Sequence, residues 1–168
     1  FPTRRSSDLE IINQTETILT ESGQIWQPKD DGKQMLGQLV TLKWGLSRSI
    51  NNVTAFLMGK IGPDAFYNIL RDFGLRDRNI VPVHALCLGT CDVSVHEMVS
   101  AYSTFVNHGI RTSPLYVTRI EDSEGNVLAQ FTARNHEAVS EEASFKMIDM
   151  MRAVENEGTG TRLRSSRL

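Results

Sequence analysis

The sequence predicts an α+β domain: a helical part plus part of an antiparallel sheet. Three observations carry this. The chain has 168 residues, enough for one ordinary domain with its own core. Its patterns resolve into about five helices and two hairpins. Those patterns are bunched, strands with strands and helices with helices, which argues against a βαβ array.

Along the chain, residues 15–27, "TETILTESGQIWQ", read as two short strands about Ser22-Gly23. "PKDDGKQMLGQ" is rich in turn formers and reads as a loop. Thr41 can cap a helix that carries Leu42 and Leu46 and ends near Ser49. A second helix carries Val53, Phe56 and Leu57 and stops near Gly59. A third starts at Pro63, a residue suited to a first helical position, and ends at Gly74. Its apolar residues, Phe66, Ile69, Leu70 and Phe73, recur at helical spacing. "RDRNIVPVHALCLGTCD" is a connection with a Gly-Thr turn.

The clearest helix is "SVHEMVSAYSTFVNHG". Ser94 and Glu97 form a capping box, each satisfying an N–H that the first turn leaves open. Val95, Met98, Val99, Tyr102, Phe105 and Val106 make one apolar stripe, and Gly109 supplies a left-handed stop. "LYVTRIEDSEGNVLAQF" reads as a hairpin turning at Ser123–Asn126. Ser140 opens a final helix with Phe145, Ile148, Met151 and Val154, ending at Gly158.

Charge excludes one class of partner. The net charge is −2, made of +1 in residues 1–9, +3 in 162–168 and −6 between them. A body of net charge −6, with net positive charge only at its two ends, offers little to neutralise phosphates, so nucleic acid is not expected as a partner. No apolar run approaches the ~20 residues that span a bilayer. Residues 1–9, "FPTRRSSDL", have no period and look like a translated sequencing adapter, so the domain is expected over 10–168.

The titratable residues carry little chemistry of their own. His84, Cys87, Cys91 and His96 fall in an H-x2-C-x3-C-x4-H array whose atoms zinc would accept. Closed zinc sites place ligand pairs on separate elements, so the two cysteines read as small apolar fillers beside a turn, and no metal or cofactor is expected. Asp30-Asp31 and Glu141-Glu142 read as a solvated loop and a helix start. A Ser-x-x-Lys dyad puts an amine beside a nucleophilic hydroxyl. The five lysines, Lys29, Lys33, Lys43, Lys60 and Lys146, follow Trp26, Asp30, Val40, Leu57 and Ala143 at that spacing, so the dyad is absent. No Lys is followed by Thr-Gly. What remains is Ser49-x-Asn51, a hydroxyl and a carboxamide at a helix junction. By pattern alone these two side chains read as helix caps.

Context changes that reading. "VTLKWGLSRSINNVTAFLMGKIGPDAFYNILRDFGL" resembles the penicillin-binding transpeptidase domain, most of all the bifunctional class A proteins of the 1A type, with their "VTLR-x-AL-x-x-S-x-N" helix. "VPVHALCLGTCDVSVHEMVSAYSTFVNHGI", "SPLYVTRIEDSEGNVL" and "MIDMMRAVENEGTGTRLR" are similar to three further blocks of that family, in order. "GQIWQPKDD" resembles the "W-x-P-x-N-Y" that precedes the S-x-N helix. Together the blocks cover nearly all of residues 24–164. Cys91 stands where Ala is common in the family, and Lys43 where Arg is usual, on what reads as an exposed helix face.

The resemblance implies a fold of the serine β-lactamase and D,D-transpeptidase class. It implies a peptidoglycan cross-linking activity through a serine acyl-enzyme, with stem peptides and β-lactams as partners and no cofactor. Of the family's elements S-x-x-K, S-x-N and K-T-G, only the second carries over, onto Ser49 and Asn51 as catalytic residues. "EGTGT" ends in Gly158–Thr161 and has Glu-Gly where Lys would stand. The expectation is thus a domain cut at both ends and inactive alone. Its parent would lie at the periplasmic face of the inner membrane, held by an upstream anchor and carrying a glycosyltransferase domain. Two other readings stand beside it, a serine β-lactamase-like hydrolase and a non-catalytic helical binding module.

Overall fold

Thr41 ends a strand and starts a helix, and this one residue sets the frame of the N-terminal half. In the computed structural model, which describes residues 9–20, 23–30, 35–76 and 80–164, β4 (Leu39–Thr41) pairs antiparallel with β1 (Glu10–Ile12). Thr41 Oγ1 then accepts from Trp44 N–H at 3.1 Å and caps α1 (Leu42–Ser47), as its sequence predicts. The β1–β4 pair is absent from the sequence reading. Its strands are three residues each and lie 27 residues apart, too short and too distant for a periodic signal. Residues 1–8 of the expected extension lie outside the described residues, while the Leu9 carbonyl accepts from Leu42 N–H at 3.0 Å.

Between β1 and β4 lies a hairpin of β2 (Ile18–Leu19) and β3 (Ile25–Trp26), with Gly23 at positive φ near its turn. This matches the two short strands expected over 15–27. After α1 come α2 (Asn51–Ile61) and α3 (Pro63–Asp72). The sequence stops α2 near Gly59, but the helix continues through it to Gly62, at φ +79°, where Pro63 begins α3. Gly59 costs helix propensity without ending the ladder. A 3-10 turn at His84–Leu88 leads to Gly89 in the left-handed region.

α4 (Val95–Val106) begins with both halves of the Ser94–Glu97 box in place. It feeds β5 (Ile110–Thr112), which pairs with β8 (Asn135–Glu137), another long-range pair of short strands that the sequence does not announce. The expected hairpin is β6 (Arg119–Glu121) with β7 (Val127–Gln130), bulged so that Leu128 has no cross-strand partner. Its turn is held by the Asp122 carboxylate, which accepts from the Glu124 and Asn126 N–H groups and from Asn126 Nδ2. These donors hold the Asp122 pKa below the usual carboxylate range. α5 (Glu141–Glu157) closes the fold, capped by Ser140. Among the described residues the strands form four separate two-stranded antiparallel sheets, and no helix is long and apolar enough to cross a membrane.

The core has two parts. Met58, Phe73, Leu75, Ile80, Leu86 and Ala101 make one, with Phe66, Leu70 and Phe105 against it. Cys87 and Cys91 are half-buried on the same cluster, as apolar fillers, and burial pushes the Cys87 thiol pKa up. Val40, Ile50 and Val53 make the other. The α4 stripe is the main departure from expectation. Val95 is 81% exposed and Val106 75%, and Met98, Val99 and Tyr102 are exposed too. The buried residues of α4 are Ala101 and Thr104. On α5, Phe145 is exposed, and the buried residues are Ser144 and Ala153. Ser144 Oγ donates to the Phe105 carbonyl at 2.7 Å, so α4 and α5 approach over small side chains. Periodicity correctly placed these residues on one face but could not say what covers that face.

Replacing Ser94 with Ala removes the cap of α4 and costs about 1 kcal/mol at neutral pH. Hydrogen bonds from Ser94 hold the Glu97 pKa below the usual range. A carboxylate depressed in the folded state stabilises above its unfolded pKa and loses that contribution as pH falls through the folded one. Urea unfolding of the wild type and Ser94→Ala from pH 7 to pH 3 should therefore show the gap between them narrowing toward acid.

Candidate active site

α1 must end and α2 begin within three residues. The chain does this with a left-handed residue. Ser49 has φ +55°, its N–H donates to the Leu46 carbonyl at 3.1 Å, and Ile50 N–H donates to the Gly45 carbonyl at 3.0 Å. This is a Schellman motif, with Ser49 at the position that glycine usually fills. Ile50 is buried between Val40 and Val53, anchoring the turn as expected. Gly45 allows the turn to be tight: a Cβ there would lie 2.6 Å from Val53 Cγ1.

The result is an exposed Ser49 hydroxyl beside a half-exposed Asn51. Neither side chain caps a helix. The end of α1 is closed by the backbone of Ser49 and Ile50. The N-cap of α2 is Ile50, which has no side-chain group to offer. The open N–H groups at the start of α2 are met instead by Asp30, whose Oδ1 accepts from Asn51 N–H at 2.5 Å and Oδ2 from Asn52 N–H at 3.4 Å. Asn51 Nδ2 donates to the Lys29 carbonyl at 2.6 Å. Asp30 is thus half-buried and engaged, which corrects its reading as a solvated loop residue; Asp31 lies outside the described residues. Glu141 and Glu142 do sit exposed on the first turn of α5, as expected.

A second anchor comes from the other end of the chain. The Ser47 carbonyl accepts from Thr159 N–H at 3.0 Å, docking the Gly158-Thr159-Gly160 turn on the end of α1. A Cβ on Gly158 would collide with that carbonyl oxygen. Lys43 Nζ lies 2.9 Å from Asp149 Oδ2 and is half-buried, so its face of α1 meets α5 and is not the open face the sequence suggested. Sequence reasoning missed both anchors. The signal for the first was Asp30 at the end of the "WQPKD" block that resembles the family's W-x-P-x-N, and for the second a Gly-Thr-Gly run. Among the described residues no cluster of three or more His, Cys, Asp or Glu side chains could hold a metal ion. Two surface grooves line α4 and α5, and neither includes Ser49 or Asn51.

A family model, Penicillin binding protein transpeptidase domain, matches residues 8–167. The chain belongs to this family. It is 32% identical over 140 residues to penicillin-binding protein 1A of Aquifex aeolicus, an alignment covering 83% of this chain and 19% of that protein. It is 31% identical over 145 residues to penicillin-binding protein 1B of Vibrio cholerae, covering 86% and 18%. The chain thus spans about a fifth of the length of these relatives. The crystal structure of penicillin-binding protein 1A from Haemophilus influenzae superposes with a TM-score of 0.80 at 20% identity, over 98% of this chain and 30% of that one. Penicillin binding protein 3 from Mycobacterium tuberculosis, complexed with aztreonam, gives 0.67 at 19% identity over 92% and 39%. These likenesses establish the fold, an α+β transpeptidase domain in part. The class A resemblance read from the ordered sequence blocks is borne out.

Gly158→Ala should lower stability by about 1–3 kcal/mol, because the added methyl meets a backbone oxygen that cannot move away without shifting α1. Urea unfolding measures the loss. An unchanged midpoint would mean that α1 and the Gly-Thr-Gly turn separate without cost.

Proposed function

We propose that this chain is the S-x-N-bearing portion of a peptidoglycan D,D-transpeptidase, in which Ser49 and Asn51 form one wall of the catalytic cleft. The observation that carries the reading is the Ser49 hydroxyl. It stands exposed at a left-handed turn, while the helix ends beside it are satisfied by other groups. A side chain kept out of local capping is available for chemistry.

The reaction runs through a serine supplied from outside these 168 residues, with its lysine base. That serine attacks the carbonyl of the penultimate D-Ala of a stem peptide. The peptide bond breaks, D-Ala leaves with a proton on its nitrogen, and an acyl-enzyme remains. Ser49 relays that proton from the lysine, because a hydroxyl both accepts and donates. Asn51 holds the substrate's backbone amide. The amine of a second stem peptide then takes the acyl group, and its proton returns along the same path. A β-lactam acylates the same serine and leaves slowly. Stem peptides and β-lactams are therefore the partners, and the parent protein acts at the periplasmic face of the inner membrane.

Penicillin labelling tests this directly. The 168-residue chain alone takes up no fluorescent penicillin, since loss of a nucleophile costs a factor of order 10⁴ to 10⁶. In the full-length protein, Ser49→Ala and Asn51→Ala each lose labelling while circular dichroism stays native. Normal labelling in both variants would return the turn to a purely structural role.

A further inference from the structure

We propose that Asp30 is a positioning residue for the Ser49-Ile50-Asn51 turn, and that the Lys29 carbonyl decides which end of the Asn51 amide faces a ligand. The inference deepens the transpeptidase reading and rests on it. It starts from an accounting of hydrogen bonds. The first turn of a helix leaves N–H groups open, and a side chain at the N-cap usually takes one. Ile50 occupies that place and is buried in the core, so it cannot. The acceptor is instead a carboxylate from 21 residues upstream, spanning the N–H groups of Asn51 and Asn52 with its two oxygens. A negative group suits this helix end, and bonds to an ionised acceptor are the strong ones.

The adjacent residue grips the side chain of the same asparagine. A backbone carbonyl can only accept, so the atom 2.6 Å from Lys29 O must be the amide nitrogen. The orientation of the Asn51 amide is thereby fixed. Its Oδ1 is left as the acceptor this amide can offer a ligand, matched to an N–H donor such as a peptide amide or an ammonium group. Residues 29 and 30 thus hold both the backbone and the side chain of Asn51. The arm that carries them is itself restrained: Pro28 is buried and has a fixed φ, and Trp26 belongs to the β2–β3 hairpin. On the far side of the turn, Asn52 Nδ2 lies 3.4 Å from Asn13 Oδ1, just beyond β1. Asp30 therefore acts through Asn51 and Ser49 and touches no reacting atom.

The test uses the full-length protein. The second-order rate of acylation by a fluorescent penicillin is measured for wild type, Asp30→Ala, Asp30→Asn, Asp30→Glu and Ser49→Ala, with thermal melting alongside. Asp30→Ala slows acylation about 10- to 100-fold, the cost of losing the carboxylate's hydrogen bonds to Asn51 N–H and Asn52 N–H at a site that must stay ordered. Asp30→Asn recovers part of the rate, because its amide oxygen still accepts from Asn51 N–H while the charge and the second acceptor are lost. Asp30→Glu keeps the charge but displaces it by a methylene, and stays slow. That variant carries the test if the alanine variant does not fold. A wild-type rate in the Ala or Glu variant, or equal slowing in Ala and Asn, overturns the assignment. Ser49→Ala separates the two claims. If it acylates normally, the catalytic reading of the turn fails; if it does not and Asp30→Ala is normal, only the role of Asp30 fails.

Discussion

The structure depends on a serine in a backbone conformation that side chains avoid. For a residue with a Cβ, the left-handed region costs roughly 1–2 kcal/mol. Ser49 adopts it because α1 and α2 share a single three-residue junction. That conformation brings Ile50 into the core, starts α2 at Asn51 and lays Val53 against Gly45. A glycine would serve the geometry better. In the proposed function the hydroxyl of that serine is the group that acts.

A strained turn persists only when its surroundings over-determine it. Here the restraints come from both ends of the chain. Asp30 and Lys29 hold the start of α2 from upstream. The Gly158-Thr159 turn and the Lys43–Asp149 pair hold α1 from downstream. Distant segments therefore converge on a junction whose own helix-ending residues are few. This division leaves the exposed Ser49 side chain at the centre out of the helix caps, while the Asn51 side chain is held by the Lys29 carbonyl.

What the sequence made legible were local rules. The Thr41 and Ser94 caps, and the start of α3 at Pro63 and its end just before Gly74, follow from interactions within one helical turn. The β2–β3 and β6–β7 hairpins follow from their turn residues. Long-range pairing was not legible, because β1, β4, β5 and β8 are three-residue strands whose partners lie more than twenty residues away. The same holds for the site. Ser49 and Asn51 were visible by resemblance. Asp30 was not, because a carboxylate looks the same in a sequence whether it faces water or closes a helix. The α4 stripe shows the converse limit. Its spacing is helical, yet Val95, Val99 and Val106 face solvent.

Cys87 carries a further consequence. The thiol is held against the first core cluster, with its pKa raised by desolvation. Nucleophilic sulfur chemistry goes through the thiolate. A side chain kept in the protonated form is slow toward alkylating reagents, peroxides and disulfide exchange. Packing against the cluster thus both fills apolar space and lowers the reactivity of this thiol.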